Sequence, residues 1–591
     1  MPAPSAPPGR FFPIALLSLA LTAAAPGAYA AWAPNGIPIC VETQGQYPPS
    51  ITFDGAYGAI VAWPDFRFGN ADIFAQRVDS SGVVQWTANG VPVCSATGSQ
   101  FGPVVVPDGG GGAVVFWYDH RGATDDIYAQ RVDGQGAARW PLHGIPLATD
   151  PNYDERFPSA ISDGSFGIAG QQGFIVLWKR TEPGNDILRM QHVDLAGGNL
   201  WTTPGFGGVP LTSGGVPIGG YDMVTDGTGT PAGAKGAFVT WAEDRAAFAG
   251  FEIRARRINA SGVPQWATDG VSICALGGDQ TDPDIEFVGA GRAIIAWVDG
   301  RSLEPDVYAQ MLDISGNVLW QANGVPVCRV SGHQERVQIA SDGAGGIIAV
   351  WQDTRYGSSG IHAQRVDANG QRLWNLEGIR VCSSSSIQHS PAIVGDGAGG
   401  AIVAWQDSRH PGTTSLLDIE YDVYAQRVDA SGNLLWPADG VPIGSALGTQ
   451  ISVLLTTDVR NGAIAAWYDD RAGNGDIYAN RIFSSGGIVD VPAPGAPPSK
   501  LRFAFASSNP ARGEVRLRLD LPEPAAVTVD VLDALGRRVR SLGADARFEA
   551  GTHVIRWDRT DESGAPAAAG VYFVRARAGN TTLVTRVVAL R

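Results

Sequence analysis

Short apolar runs separated by Gly/Asp-rich turns recur through most of the chain. Residues 113–117 (AVVFW) follow the turn at 108–112, and residues 126–132 (DIYAQRV) follow a second loop. β-Branched and aromatic runs of this length between Gly/Asp turns predict strands joined by hairpins. No stretch outside the N-terminus keeps a 3.6-residue apolar spacing, so the pattern predicts almost no helix.

This four-strand pattern repeats eight times, with the first tryptophans of successive copies 54 to 63 residues apart. A fixed period with one supersecondary unit per copy is typical of propellers and solenoids. Four antiparallel strands in each of eight copies predict an eight-bladed β-propeller over residues 31–488. The first tryptophans are Trp63, Trp117, Trp178, Trp241, Trp297, Trp351, Trp405 and Trp467.

The two ends of the repeat region complement each other. Residues 32–40 (WAPNGIPIC) read as the fourth strand of a copy without its first three, and the eighth copy stops after residues 476–481 (DIYANR). We therefore expect the N-terminal strand to complete the last blade. Such closure removes the open sheet edges that favour aggregation.

Residues 1–30 have the pattern of a secretory signal peptide. Arg10 precedes an apolar stretch at 11–25, and residues 28–30 (AYA) form a cleavage site. The apolar stretch is too short for a spanning helix, and no other segment reaches membrane length. The sequence thus predicts an exported protein, secreted or held at the cell surface, with no transmembrane segment in the mature chain.

The net charge of −15 comes from 43 basic and 58 acidic residues without a basic tract, which argues against a nucleic-acid partner. The five cysteines occupy one repeat position in different blades and lack CxxC spacing. We expect buried free thiols at this position, without disulfides or a metal site. No cofactor is predicted, and Ca²⁺ stays an option that no ligand motif supports. The cysteines are Cys40, Cys94, Cys274, Cys328 and Cys382.

The repeat pattern ends near residue 488. Residues 489–500 (VDVPAPGAPPSK) predict a Pro-rich linker, and the alternating strands of residues 501–591 predict a small Ig-like β-sandwich. The fold class is therefore all-β, with a propeller followed by a sandwich.

The C-terminal segment carries a recognisable order of motifs at 531–539 (VLDALGRRV), 550–558 (AGTHVIRWD) and 569–573 (AGVYF). It resembles the FlgD/Vpr Ig-like domain and the C-terminal sorting domains of the type IX secretion system. The resemblance implies export across a bacterial outer membrane by the secretion machinery, then release or surface attachment. An ordinary Ig-like module without a sorting role is the alternative. The propeller repeats are similar to secreted bacterial β-propeller repeats, for which no activity is implied.

A Trp-x-Asp-x-Arg sequence ends the second strand of most blades. Acid and base two residues apart on a strand share a face and can pair. Because the set recurs from blade to blade, a structural role is favoured over catalysis. Its clearest members are Trp63, Asp65, Arg67, Trp117, Asp119, Arg121, Trp351, Asp353, Arg355, Trp405, Asp407 and Arg409.

A second repeated polar set enters the innermost strand of each blade. The favoured interpretation is that these side chains hydrogen-bond the backbone of a neighbouring blade. The competing interpretation is a polar funnel at the channel mouth for a hydroxyl-rich ligand. The set comprises Gln46, Gln100, Glu155, Gln280, Gln334, Gln388 and Gln450.

Departures from the repeat predict a binding face. Blade three carries Lys179 and Arg180 in place of the Asp/Arg pair, and blade seven has an insertion from His410 to Tyr421. Extra residues also occur at 246–251 and 202–220. We expect all of these departures to lie on the face formed by the strand 2–3 and strand 4–1 connections.

No catalytic or metal motif is present, so no catalytic residue is assigned. The leading hypothesis is a non-catalytic exported propeller that binds a glycan or an extracellular protein. The alternative is a polysaccharide hydrolase or lyase with its site at the channel mouth. Its candidate carboxylates would be Asp154, Glu155, Asp282 and Asp284. A spacer or coat role is a third hypothesis.

Overall fold

A computed structural model describes residues 32–33, 35–164, 173–201, 207–227, 236–244, 250–409, 420–486, 502–505, 515–521, 524–548, 551–579 and 581–589. The chain divides into two compact units, one spanning Ala30–Val491 and one containing Pro492–Arg591. The predicted signal peptide and the predicted linker lie outside the described residues. Nowhere in the described ranges does a helix have the length and apolarity needed to cross a membrane.

The first unit contains eight four-stranded antiparallel sheets. Blades one to four comprise, in order, β2 (Ser50–Phe53), β3 (Ala59–Asp65), β4 (Asp72–Val78), β5 (Val91–Cys94); β6 (Gln100–Pro107), β7 (Ala113–Asp119), β8 (Asp126–Val132), β9 (Ile145–Ala148); β10 (Asp154–Ser162), β11 (Gly173–Glu182), β12 (Asn185–Asp194), β13 (Val209–Pro210); and β14 (Ile218–Thr225), β15 (Ala237–Glu243), β16 (Glu252–Ile258), β17 (Val271–Cys274).

Blades five to eight follow the same order and confirm the predicted eight-bladed propeller. They comprise β18 (Gln280–Gly289), β19 (Arg292–Asp299), β20 (Asp306–Asp313), β21 (Val325–Cys328); β22 (Gln334–Ser341), β23 (Ile347–Asp353), β24 (Gly360–Val366), β25 (Ile379–Arg380); β26 (Gln388–Gly395), β27 (Ala401–Asp407), β28 (Asp422–Val428), β29 (Val441–Gly444); and β30 (Gln450–Thr457), β31 (Ala463–Asp469), β32 (Asp476–Ile482) with the N-terminal strand.

That N-terminal strand, β1 (Ile37–Cys40), pairs antiparallel with β32 and places Ile37 opposite Ala479. The amide of Gln46 donates to the carbonyl of Gly475 at 2.9 Å, which joins blade one to blade eight. The predicted closure of the ring is therefore confirmed.

The second strand of each blade is buried on both faces because neighbouring blades pack against it. Its tryptophan is the largest of these side chains, and Trp351 is 0% exposed. The glycine before the fourth strand lies against this indole, with Gly378 at φ +77° below Trp351. Tryptophan and glycine thus fill complementary space, which explains why both recur in every copy.

One predicted insertion lies elsewhere than expected. In blade three the extra residues fall between Trp201 and β13, which is the strand 3–4 connection. In a meander this connection emerges on the face opposite to the strand 2–3 connections. The expectation that all three insertions share one face is therefore wrong. The sequence left this open because Gly-Val-Pro, the start of a fourth strand, occurs twice here, at 208–210 and at 215–217.

The second unit is a β-sandwich, as predicted. One sheet has the order β33 (Arg502–Phe505), β34 (Val515–Leu521), β37 (Gly551–Trp557), and the other has β36 (Arg538–Phe548), β35 (Ala525–Leu532), β38 (Gly570–Ala578), β39 (Thr581–Ala589). Leu517 and Trp557 from the first sheet and Val529 and Val574 from the second share one buried core.

Candidate functional site

The Trp-x-Asp-x-Arg residues form one hydrogen-bonded unit in each of the six blades that carry the sequence. The Trp63 indole donates to Asp65 Oδ2 at 2.9 Å, and Arg67 Nε donates to Asp65 Oδ1 at 2.8 Å. The Arg67 guanidinium lies 3.8 Å from the ring centre of Phe74. The aspartate accepts bonds from both sides and has no free oxygen for a reacting group.

Each cysteine connects this unit to the preceding blade. Arg67 donates to Cys40 Sγ at 3.2 Å, and Arg355 donates to Cys328 Sγ at 3.0 Å. All five cysteines are free and buried, and burial raises the pKa of the Cys328 thiol to about 12. Across the described ranges, no three His, Cys, Asp or Glu side chains gather to hold a metal ion.

The glutamine set is buried between loops. Gln334 is 0% exposed, its Nε2 donates to the carbonyl of Gly332 at 2.7 Å, and its backbone amide donates to the carbonyl of Pro305 at 2.9 Å. Gln46, Gln100, Gln280 and Gln450 are likewise at most 1% exposed. Gln388 instead donates to Cys382 Sγ at 3.2 Å. A polar funnel would need amides that face the channel, and these side chains present no such surface.

Blade three replaces the repeated aspartate with a glutamate from another strand. The Trp178 indole donates to Glu155, whose other oxygen has no hydrogen-bond partner. Burial raises the pKa of Glu155 to about 7. Lys179 Nζ lies 3.4 Å from Asp186, and Arg180 lies 2.8 Å from Asp150. Lys179 and Arg180 are therefore both paired with acidic side chains of the protein itself.

A cavity of about 1350 Å³ occupies the channel mouth. Its wall comes from the innermost strands of blades one and four to eight, and from loops around Asp279 and Leu303. A β-bulge follows the second residue of most of these strands, as between Thr281 and Asp284. Non-glycine residues within the bulges adopt positive φ, including Phe157 (55°), Asp282 (49°) and Arg336 (55°). Left-handed backbone at non-glycine residues is costly and concentrates at functional sites.

In each of these strands, the bulge places the fourth residue after the glutamine position on the channel wall. In blades four and five these residues are Asp222 and Asp284, which lie side by side: Asp222 Oδ2 accepts a hydrogen bond at 3.2 Å from the amide of Ile285, the residue after Asp284. Burial and the adjacent Asp222 raise the pKa of Asp284 well above its ordinary value, and burial also raises that of Asp222. Asp279, Asp282 and Glu335 line the same part of the cavity. We call this set of five the acidic arc.

An aromatic set occupies blades one to three at the same end of the channel. Tyr47, Phe66, Phe101, Tyr118 and Phe157 form a continuous chain of ring contacts with centroid separations of 5.1 to 6.2 Å. Tyr47 is 52% exposed and Phe157 is 54% exposed. We call these five residues the aromatic arc. Such exposed, contiguous rings are characteristic of binding surfaces.

The two arcs meet at a smaller cavity of about 420 Å³. Phe157, Lys179 and Tyr221 line it, and Gly220 and Tyr221 also line the large cavity. Lys179 Nζ lies 5.9 Å from the ring centre of Phe157, and the Tyr221 hydroxyl donates to the carbonyl of Phe157 at 2.5 Å. Of the predicted site residues, Lys179 is therefore part of this cavity.

The remaining predicted residues lie as follows. Tyr421 packs edge-on against His389 at 4.5 Å, beside the cavity residue Ser390. Asp282 and Asp284 line the cavity, whereas Asp154 pairs with Arg156 at 3.1 Å. His410 lies outside the described residues.

Sequence reasoning missed Asp222 and the aromatic arc. In blade four Ile218 occupies the position that is glutamine in most copies, so the repeated polar set did not point to Asp222. The bulge within β14 places Asp222 on the channel wall. The available signal was the non-glycine residue two positions after the glutamine, but only the structure shows its positive φ.

Comparisons with known proteins identify remote likeness in fold. PorZ, an essential bacterial surface component of the type IX secretion system of Porphyromonas gingivalis, is 12% identical over 92% of this chain and 70% of its own, with a TM-score of 0.24. A GH93 α-L-arabinofuranosidase of Fusarium graminearum is 11% identical over 57% of this chain and 95% of its own (TM-score 0.30), and a Hadza microbial sialidase is 12% identical over 69% and 73% (TM-score 0.31). Values this low carry no inference about function.

No curated protein matches the chain in sequence. The C-terminal unit gives a clear result, because its strand order is that of a sandwich and its motifs lie in the strands and turns of that sandwich. Residues 506–582 match the model of the FlgD Ig-like domain, and the chain therefore joins an eight-bladed propeller to a C-terminal domain of this family.

Proposed function

We propose that this protein is an exported, non-catalytic binding protein that holds a glycan chain at the mouth of the propeller channel. The observation that carries the proposal is an acidic arc that lines a cavity of about 1350 Å³, beside an aromatic arc that enters the adjoining cavity of about 420 Å³ through Phe157. Mostly apolar concavities with a few convergent polar groups are the usual form of ligand sites.

The aromatic arc fits the flat faces of sugar rings. The face of an aromatic ring carries partial negative charge, and the axial C–H groups of a pyranose present partial positive charge to it. Tyr47 and Phe157 offer about half of their surface to solvent, so stacking on them requires no rearrangement.

The acidic arc supplies acceptors for sugar hydroxyls. Carboxylate oxygens are strong, charge-assisted acceptors, and Asp282 and Glu335 reach the cavity with exposed or half-buried side chains. A protein partner would need a larger and flatter apolar surface on the propeller, whereas the surface at the channel mouth is concave.

The same carboxylates argue against a glycosidase that uses Asp222 and Asp284 as its catalytic pair. Asp222 and Asp284 lie side by side, because Asp222 bonds the amide of Ile285 next to Asp284, and no substrate atom separates them. The two catalytic groups of glycosidases are separated by about 5 Å or more, since a sugar atom or water must fit between them. We therefore favour binding without turnover over hydrolysis by this pair.

The FlgD Ig-like domain supports a location outside the cell. Its resemblance to sorting domains favours export through outer-membrane secretion machinery, followed by release or surface attachment. The propeller would then present its channel mouth to extracellular glycans.

The test is calorimetry of the mature chain, residues 31–591, with a panel of neutral oligosaccharides, combined with chromatography of the sugars afterwards. We expect binding of at least one class with no new products. Phe157→Ala should weaken binding about tenfold or more, as expected for loss of a stacking partner. Tyr57→Ala, an exposed aromatic in the strand 1–2 turn on the opposite face, is the matched control. Cleavage of the bound sugar would contradict the proposal in favour of an enzyme, and absence of binding across the panel would refute it.

A further inference from the structure

Two aspartates from neighbouring blades are fixed in contact on the channel wall. Asp222 Oδ2 accepts a hydrogen bond from the amide of Ile285 at 3.2 Å, and Asp284 Oδ2 accepts one from Ile339 at 2.8 Å. In each case the side chain bonds the backbone of the next blade, so the ring geometry itself holds the carboxyl groups together. Two carboxylates in contact cannot both ionise unless a proton or another cation lies between them.

The surroundings of the pair are negatively charged. Glu286 lies two residues beyond Asp284 on β18, and burial followed by the charge of Asp222 raises its pKa to about 7. On β22, Glu335 adds a negative charge and Arg336 a positive one. Arg336 is the one basic side chain among the described residues that line the large cavity.

The strand on the other side adds no free positive charge. On β10, Arg156 pairs with both Asp125 and Asp154. The wall around Asp222 and Asp284 therefore favours a cation over a neutral group.

A separate feature of the cavity is a polar side chain without a protein partner. Gln406, two blades further round the ring from Asp284, lines the cavity and is 5% exposed. None of the hydrogen bonds among the described residues involves its side-chain amide. The amide atoms are not sealed off from the cavity, so they are available to hydrogen-bond a molecule bound there.

We propose that the bound glycan carries a free amino group and that the Asp222–Asp284 pair is its ammonium site, with Gln406 bonding a neighbouring polar group. This inference rests on the proposed glycan-binding function and specifies its ligand class. The ammonium group replaces the shared proton and donates to both carboxylates. An N-acetylated sugar is neutral and cannot do so. A lysine side chain offers the same ammonium group, but it has no ring face for the aromatic arc.

The experiment is calorimetry of the mature chain with three probes: a glucosamine tetramer, an N-acetylglucosamine tetramer and a tetralysine peptide. Each titration is run in two buffers that differ in ionisation enthalpy. We expect the glucosamine tetramer to bind at least about tenfold more tightly than its acetylated counterpart and to release roughly one proton. Affinity should rise with pH as the pair loses its proton, then fall as the amine loses its own.

Variants separate this site from general attraction by an acidic protein. Asp284→Asn keeps an acceptor for the Ile339 amide and removes the charge, and should lower glucosamine affinity about tenfold or more without affecting neutral sugars. Asp222→Asn is the second variant, and melting curves check that both fold. Glu377→Gln is the control. It also removes one negative charge, but from a side chain that is 63% exposed and lies in the strand 3–4 connection on the opposite face.

The outcomes are distinct. Equal binding of both tetramers, or equal effects of Asp284→Asn and Glu377→Gln, would overturn the amine site and leave glycan binding standing. Binding of the peptide alone would overturn both proposals, and so would the absence of binding by any sugar.

Discussion

Arg67 donates a hydrogen bond to the thiol of Cys40 at 3.2 Å, and this contact joins the N-terminal strand to the second strand of blade one. The same contact recurs between Cys94 and Arg121 at 3.3 Å and between Cys382 and Arg409 at 2.9 Å. Each cysteine therefore acts as a small acceptor at a boundary between blades. Five of the eight boundaries use a thiol at this position.

Burial of these thiols predicts that they are chemically inert in the folded protein. Burial raises the pKa of Cys40, Cys94, Cys274 and Cys328 to about 12, so almost no thiolate exists at neutral pH. We expect none of the five to react with a thiol-specific chromogenic reagent in native buffer, and all five to react in denaturant. Rapid reaction in native buffer would contradict the boundary packing.

The glycine beneath each tryptophan should resist substitution. In Gly378→Ala the new Cβ would meet Trp351 at 2.7 Å, and the residue would keep φ +77°. Gly343→Ala is the matched control, because Gly343 has φ +70° and nothing within 4 Å. We expect the control to lose about 1–2 kcal/mol of unfolding free energy from backbone strain, and Gly378→Ala to lose a further ~1–3 kcal/mol from overpacking. Denaturant titrations of both variants measure the difference, and equal losses would show that the tryptophan contact is unimportant.

Removing the charge of Asp353 should destabilise the propeller strongly. Burial opposes ionisation of Asp353, but hydrogen bonds from Arg355 outweigh it and lower the pKa. Asp353→Asn leaves Arg355 without its counterion, which costs about 3–5 kcal/mol at neutral pH. Because the folded pKa is lowered, this stabilisation is present above the unfolded value of about 4 and is lost as pH falls through the folded value. Urea titrations at pH 7 and pH 3 should therefore show a large difference that shrinks in acid, and a constant difference would contradict the ion pair.

Asp126 should have the opposite pH dependence. Burial, then the charges of Asp119 and Asp125, raise its pKa to about 6, and its Oδ1 has no hydrogen-bond partner. The folded protein holds this proton more tightly than the unfolded chain, so stability falls as pH rises from about 4 to about 6. Asp126→Asn should raise the melting temperature at pH 7 and leave it unchanged at pH 4. A stabilisation that is equal at both pH values would exclude titration of Asp126 as its cause.

The fold could be predicted because the same residues mark the strands of the blade in each repeat. Trp351, Gly378 and Asp353 are tied to one another by packing and hydrogen bonds, so their spacing marks the strands of a blade. The split repeat at Ile37 and Ile482 likewise predicted closure. The site was less predictable. Asp284 was among the carboxylates expected at the channel mouth, but its neighbour Asp222 was not, because the repeat does not show which side chains of two different blades lie side by side.

The pairing of Ile37 with Ala479 has a consequence for the order of assembly. During synthesis, seven blades can form one after another from contacts between neighbours in sequence. The last sheet has to wait until residues 476–482 have emerged, and until then β1 carries unpaired backbone groups. Closing a loop of this length delays the final step rather than weakening the product, since the entropic cost grows only with the logarithm of length. The finished ring then has no terminal blade from which unfolding could start, whereas a chain cut within β1 would gain one.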